Sequence, residues 1–153
     1  RVSQSTGGAD RQDLVVDHEA PARDGEPMLE LAVLRRYVAC WQAGDLDGLV
    51  ACYAEDFTLH YAGTSRFAGT HTGRDAALTV MAEVSTPAPR ELLAVDDILI
   101  GDDGGALVVT ERLCRDDEAH VLRRVLRYRV EQDRLVECWL HDEDQALVDH
   151  LWR

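Results

Sequence analysis

LRRYVACWQAGDLDGLVACYAEDFTLHYAGTSRFAGTHTG, the stretch from Leu34 to Gly73, decides how this chain folds. It reads as a helix, a break, a short helix, a strand and a glycine-rich return. The first helix is expected from about Pro27 to Gln42, because proline suits a first helical turn. Leu29, Val33, Tyr37, Cys40 and Trp41 recur on one face of it. Gly44 supplies a left-handed cap, and Asp45 caps a short second helix with Leu46, Leu49, Val50 and Tyr53 inward. Phe57 to Tyr61 alternates as a strand does, and Gly63 and Gly69 flank a turn or short hairpin. A long helix bent back by a short one, followed by a strand bearing His60 and Tyr61, makes one wall of a pocket.

Outward from this stretch, a third helix is expected from Arg74 to about Ser85, with Ala77, Leu78, Met81 and Ala82 inward. Pro87 and Pro89 stop it. Strands follow at Glu91–Ile100, Ala106–Arg115, His120–Val130 and Arg134–His141. They turn at Asp102-Asp103-Gly104-Gly105, Asp116-Asp117-Glu118 and Gln132-Asp133. Asp142 with Gln145 resembles a capping box for a closing helix, Glu143 to about His150. Helices first and antiparallel strands second give an α+β class. Residues 1–26, rich in Ser, Gln, Gly, Asp and Pro, read as a flexible tail, leaving 27–153 as one domain.

Composition narrows the function classes. Hydrophobic residues make up 46% of 153 residues, enough for one packed core. The net charge of −13 argues against nucleic acid and anionic membrane surfaces as partners. Cys40, Cys52, Cys114 and Cys138 are spread through apolar segments without zinc-ligand spacing. Reduced, buried thiols of a cytoplasmic protein with no metal are the plain reading.

A few polar residues fall at positions where chemistry needs them. Tyr37, on the inner helix face, either donates a hydrogen bond into an apolar pocket or is a core tyrosine. His60 and Tyr61 are strand neighbours and point to opposite faces, so one of them faces the pocket. Of the two, a histidine is the residue type suited to acid/base work near neutrality. His71 reads as a loop histidine in solvent, with the pocket rim as the alternative. Alternation on the third of the late strands puts Leu122, Arg124, Leu126, Tyr128 and Val130 on one face, and Arg123, Arg127 and Arg129 on the other. An inward Arg124 needs either a carboxylate, with Glu111 the internal candidate, or an anionic ligand.

Three segments carry a family resemblance: RYVACWQAGDLDGLVACYAEDFTL (36–59), GTHTGRDAAL (69–78) and DRLVECWLHDEDQALVDHLW (133–152). Together they resemble the nuclear-transport-factor-2-like superfamily, which includes ketosteroid isomerases and SnoaL-like polyketide cyclases. The resemblance implies a curved antiparallel sheet wrapped around N-terminal helices into a cone that encloses a pocket. It matches Tyr37 to the isomerases' enolate hydrogen-bond donor and places Tyr61 where they carry an aspartate base. Leu126 stands where the isomerases carry a protonated aspartate and the cyclases a histidine. Leu140 stands where the cyclases carry an aspartate. Limonene epoxide hydrolases carry an arginine at the position of Arg124 and aspartates at those of Leu126 and Leu140.

The resemblance implies a small hydrophobic ligand, no cofactor and a homodimer. The expected function is acid/base chemistry of isomerase, cyclase, dehydratase or epoxide-opening type. A non-catalytic binding or scaffold protein is the alternative. Tyr37, His60 and Tyr61 are the catalytic candidates, and Trp41, Arg124, Leu126, Tyr128 and Leu140 the substrate-binding ones.

Overall fold

A computed structural model of the chain describes residues 26–153, so all but the last residue of the expected 1–26 tail lies outside the described residues. The elements run α1 (Glu26–Ala43), α2 (Leu46–Cys52), β1 (Tyr53–Tyr61), β2 (Gly69–Thr72) and α3 (Arg74–Val84). Then come β3 (Arg90–Gly101), β4 (Gly104–Arg115), β5 (Glu118–Glu131), β6 (Arg134–Asp142) and α4 (Gln145–Leu151). The class is α+β, as expected. Among the described residues no helix is long and apolar enough to cross a membrane.

The break after α1 forms as its sequence dictates. Gly44 sits at φ +66, donating to Trp41 O while Asp45 donates to Cys40 O, the paired bonds of a Schellman cap. The Asp45 carboxylate then accepts from Gly48 N and starts α2. Tyr53 differs from the expectation. It leaves the helix with extended backbone (φ −87°, ψ 140°) because it pairs with Leu135 of β6 and so opens β1. Leu46, expected inward, is 71% exposed.

The six strands form one sheet in the order β2-β1-β6-β5-β4-β3. Hairpins join β3, β4, β5 and β6. Two of the three tight turns place both central residues, Asp116-Asp117 and Gln132-Asp133, at positive φ, where Asp, Asn and Gly are tolerated best. A Cβ at Gly104 would run into the Tyr128 carbonyl oxygen, which explains the glycine there. β1 lies parallel to β6, with Tyr61 opposite Leu140, so the sheet is mixed although mostly antiparallel. The parallel pair arises because β6 returns beside the first strand after α3 and four other strands have intervened.

One face of the sheet packs on α1 through Val33, Leu34, Tyr37 and Val38, all buried. Leu29, expected on that face, is 43% exposed. α4 closes the structure with Trp152, which meets Tyr61 and Phe67 edge-on at ring separations of 5.4 and 5.7 Å. It starts at Gln145 with Asp144 as its cap, the carboxylate accepting from Leu147 N. Asp142, read as the cap from sequence, belongs instead to β6. The four cysteines are free, but only Cys52 and Cys138 are buried; Cys114, at the open end of β4, is exposed.

Candidate functional site

Between the inner sheet face and α1, α2 and α3 lies a cavity of about 480 Å³. Trp41, Leu49, Leu78, Met81, Leu126 and Leu140 make most of its wall apolar. The inward face of β5 was legible from period-two alternation: Arg124, Leu126, Tyr128 and Val130 are all buried. All five expected substrate-binding residues, Trp41, Arg124, Leu126, Tyr128 and Leu140, line the cavity.

One part of the wall is charged. Arg124 and Asp142 are direct cross-strand partners, and Arg124 donates from Nε and Nη2 to the two Asp142 carboxylate oxygens at 2.9 and 3.1 Å. Its Nη1 lies 3.5 Å from Glu111 Oε2. Glu111 Oε2 accepts in turn from Arg90 Nη1 at 2.8 Å. Two cations and two anions thus form a buried group, with side chains 2–9% exposed. Burial alone would lower the Arg124 guanidinium; Asp142 and Glu111 outweigh it and hold the group above its ordinary value. Arg90 goes the other way. Burial and the neighbouring Arg124 lower it despite Glu111 and Asp142.

Sequence reasoning gave Glu111 as the partner of Arg124. The structure makes Asp142 the closer one, and adds Arg90. Asp142 was detectable: Cys138, Leu140 and Asp142 alternate inward along β6. The Asp142-to-Gln145 spacing competed with that signal. Arg90 follows the Pro87-Ala88-Pro89 segment, and no local pattern marks it as buried.

A cluster of tyrosines forms another part of the wall. The Tyr53 hydroxyl donates to that of Tyr37 at 2.9 Å, and the Tyr37 and Tyr128 rings lie 5.3 Å apart. Burial pushes Tyr37 up to about 12, even though bonds from Tyr128 and Tyr53 oppose the rise. Burial likewise puts Tyr53 and Tyr128 well above the ordinary tyrosine value. The Tyr37 hydroxyl, which also lines the cavity, has donor and acceptor capacity beyond this one bond. Tyr53, assigned to a helix by sequence reasoning, is thereby a site residue that reasoning missed.

Of the two strand neighbours, Tyr61 lines the cavity. Its ring centroid is 5.9 Å from the Arg124 guanidinium carbon, and burial raises its pKa against the pull of Arg124 and Arg90. His60 is on the opposite face of the sheet. Its Nε2 meets Glu137 Oε1 at 2.7 Å, its Nδ1 meets Thr70 Oγ1 at 3.0 Å, and its ring stacks on Trp139. The expectation of His60 as a pocket base therefore gives way: Phe57, Leu59 and Tyr61 take the inward positions of β1. His71 bonds Phe67 O at 2.9 Å and holds the loop. Among the described residues no group of three or more His, Cys, Asp or Glu side chains is placed to hold a metal ion.

Comparison with known proteins agrees with this architecture. A family model described as "SnoaL-like domain" matches residues 34–138. No curated protein matches the sequence significantly. Bal32a, from a soil-derived mobile gene cassette, superposes with a TM-score of 0.72 at 23% identity, over 84% of this chain and 99% of its own. A nuclear-transport-factor-2-like protein of unknown function from Burkholderia pseudomallei gives 0.71 at 22% identity, over 81% and 97%. TerC, co-crystallized with polyporic acid, gives 0.70 at 14% identity, over 80% and 97%. These likenesses establish the fold.

Proposed function

This chain belongs to the SnoaL-like domain family, whose fold is the nuclear-transport-factor-2-like cone, and we propose that its cone receives a small hydrophobic molecule that carries an oxygen acceptor. The carrying observation is the cavity itself: about 480 Å³, largely apolar, with Tyr37, Tyr61, Arg90 and Arg124 among the few polar groups on its wall. TerC, a protein of the same fold, was co-crystallized with polyporic acid, which supports the class of ligand.

The finer reading is cofactor-independent acid/base chemistry of isomerase, cyclase, dehydratase or epoxide-opening type. Tyr37 is its hydrogen-bond donor, with Tyr61 and Glu111 the polar groups nearest any proton transfer. A second reading, a non-catalytic binder, is favoured by one observation. His60, the expected acid/base group, faces away from the cavity, and burial raises the tyrosines that do line it. A thermal-shift screen with hydrophobic ketones tests the pocket. Stabilisation by a ketone supports it, and silence across the set would overturn it. Turnover of a hit then separates enzyme from binder.

A further inference from the structure

Arg90 opens β3, and its side chain is 9% exposed. Only Nη1 is well used, on Glu111 Oε2 at 2.8 Å. Nη2 is 3.6 Å from Asp142 Oδ1, beyond hydrogen-bond length. Nε and Nη2 are both buried and without a hydrogen-bond partner among the described residues. The guanidinium carbon rests 4.8 Å over the Trp152 ring, which fixes its plane but accepts no directed bond.

Arg124 shows what the same two atoms do when satisfied. Its Nε and Nη2 grip both oxygens of Asp142 side by side. That grip consumes Asp142 and leaves Arg90 without an equivalent partner. Native proteins rarely leave buried donors unmatched, and such a group asks for an explanation. Arg90 lines the cavity together with Glu111, Arg124 and Tyr61, so a ligand there is the nearest source of an acceptor once the edge is uncovered. An Nε/Nη2 edge presents two parallel N–H groups, the geometry that fits a carboxylate. A ketone oxygen would use only one of them. The remaining wall is apolar and aromatic, so the group beyond the carboxylate is a ring body.

We propose that Arg90 is the carboxylate-recognising residue of the cavity, and that the ligand is a hydrophobic ring-bearing molecule with a carboxylate bound side-on by Nε and Nη2. This rests on the pocket reading above and adds the ligand's charged group to it. An incoming anion would also offset the burial and the neighbouring Arg124 that together lower the Arg90 guanidinium.

The test is calorimetric titration of the full chain at pH 7 with two ligands of matched shape, naphthoate and acetylnaphthalene. The wild type should bind naphthoate about tenfold or more tightly, since hydrogen bonds to charged groups are the stronger kind. Arg90→Lys keeps the charge and removes the fork. It should erase most of that preference while acetylnaphthalene affinity stays within about twofold. Arg90→Gln is the second variant, with circular dichroism melts to confirm that each folds. Equal wild-type affinity for the two ligands would overturn the role of Arg90 and leave the pocket reading intact. A naphthoate preference that survives both substitutions would assign the carboxylate to another cation and also overturn it. Binding of neither ligand would remove the pocket reading and this inference together.

Discussion

At the scale of single residues, the site has two kinds of polar group, and each fails differently when cut. Tyr37 is 6% exposed and its hydroxyl is bonded to that of Tyr53, so Tyr37→Phe keeps the ring and removes, besides that internal contact, one neutral hydrogen bond to the ligand. Ligand affinity should fall by about 0.5–1.5 kcal/mol, measured by titration with any ketone found in the screen. If the hydroxyl faces developing enolate charge, turnover should fall much further, about 100-fold or more, with little change in ground-state binding. A binder shows the first effect without the second. Arg124 is different because it neutralises its neighbours. Arg124→Met would strip Asp142 of both its bonds and leave Glu111 with Arg90 alone, and breaking such a buried pair typically costs about 3–5 kcal/mol. Urea denaturation should show that loss. A variant within about 1 kcal/mol of wild type would mean that water already reaches the group.

At the scale of elements, one carboxylate ties α4 to the loop that follows β1. Asp149, 7% exposed, accepts from Thr64 N at 2.8 Å, Thr64 Oγ1 at 3.0 Å, Ser65 N at 3.3 Å and Gln145 Nε2 at 3.2 Å. Burial would raise its pKa, but the bonds from Thr64, Gln145 and Ser65 win and lower it below 3.8. A depressed carboxyl stabilises the fold above its unfolded value, and that contribution is lost as pH falls through the folded one. Stability should therefore drop on acidification below about pH 4. Asp149→Asn should reduce stability near neutrality by about 1–3 kcal/mol and flatten this part of the acid profile, as read by urea midpoints across pH. An unchanged acid limb would rule Asp149 out as its source. The sequence made elements legible wherever period and turn chemistry agreed: the alternation of β5, the Gly44 cap and the Asp116-Asp117 turn all formed as read. His60 was open to the same reading, since Phe57, Leu59 and Tyr61 already occupy the inward positions of β1. Asp142 was misread because a local cap spacing and a strand period made competing claims on it, and pairing with β5 decided for the strand. Arg90 was not legible, because its partners Glu111 and Asp142 come from β4 and β6 and meet it only in the finished sheet.

At the scale of the whole molecule, the face of the sheet opposite the cavity is unusual for a monomer. One row crosses all six strands in register: Leu99, Ala106, Arg127, Trp139, His60 and Thr70. Arg127 lies 4.7 Å over Trp139, and His60 stacks on the same ring system at 5.1 Å with planes 7° apart. Beside this row, Val121 and Val125 on β5 are 58% and 38% exposed, and Leu99 is 51% exposed. Apolar side chains ringed by arginines and carboxylates suit a self-complementary contact better than open water. A homodimer through this face is therefore the expected state. The net charge of −13 opposes bringing two copies together, but the repulsion acts over distances that salt screens to about 8–10 Å near physiological strength. Association should accordingly tighten when salt is raised from low to physiological levels. Light scattering at micromolar concentration should report twice 17.1 kDa. Val125→Asp would add a carboxylate at an exposed strand position beside the row without touching the cavity, and should give monomers whose melting and ligand binding are otherwise preserved. A wild type that stays at 17.1 kDa across that salt range would show that this face is left to solvent.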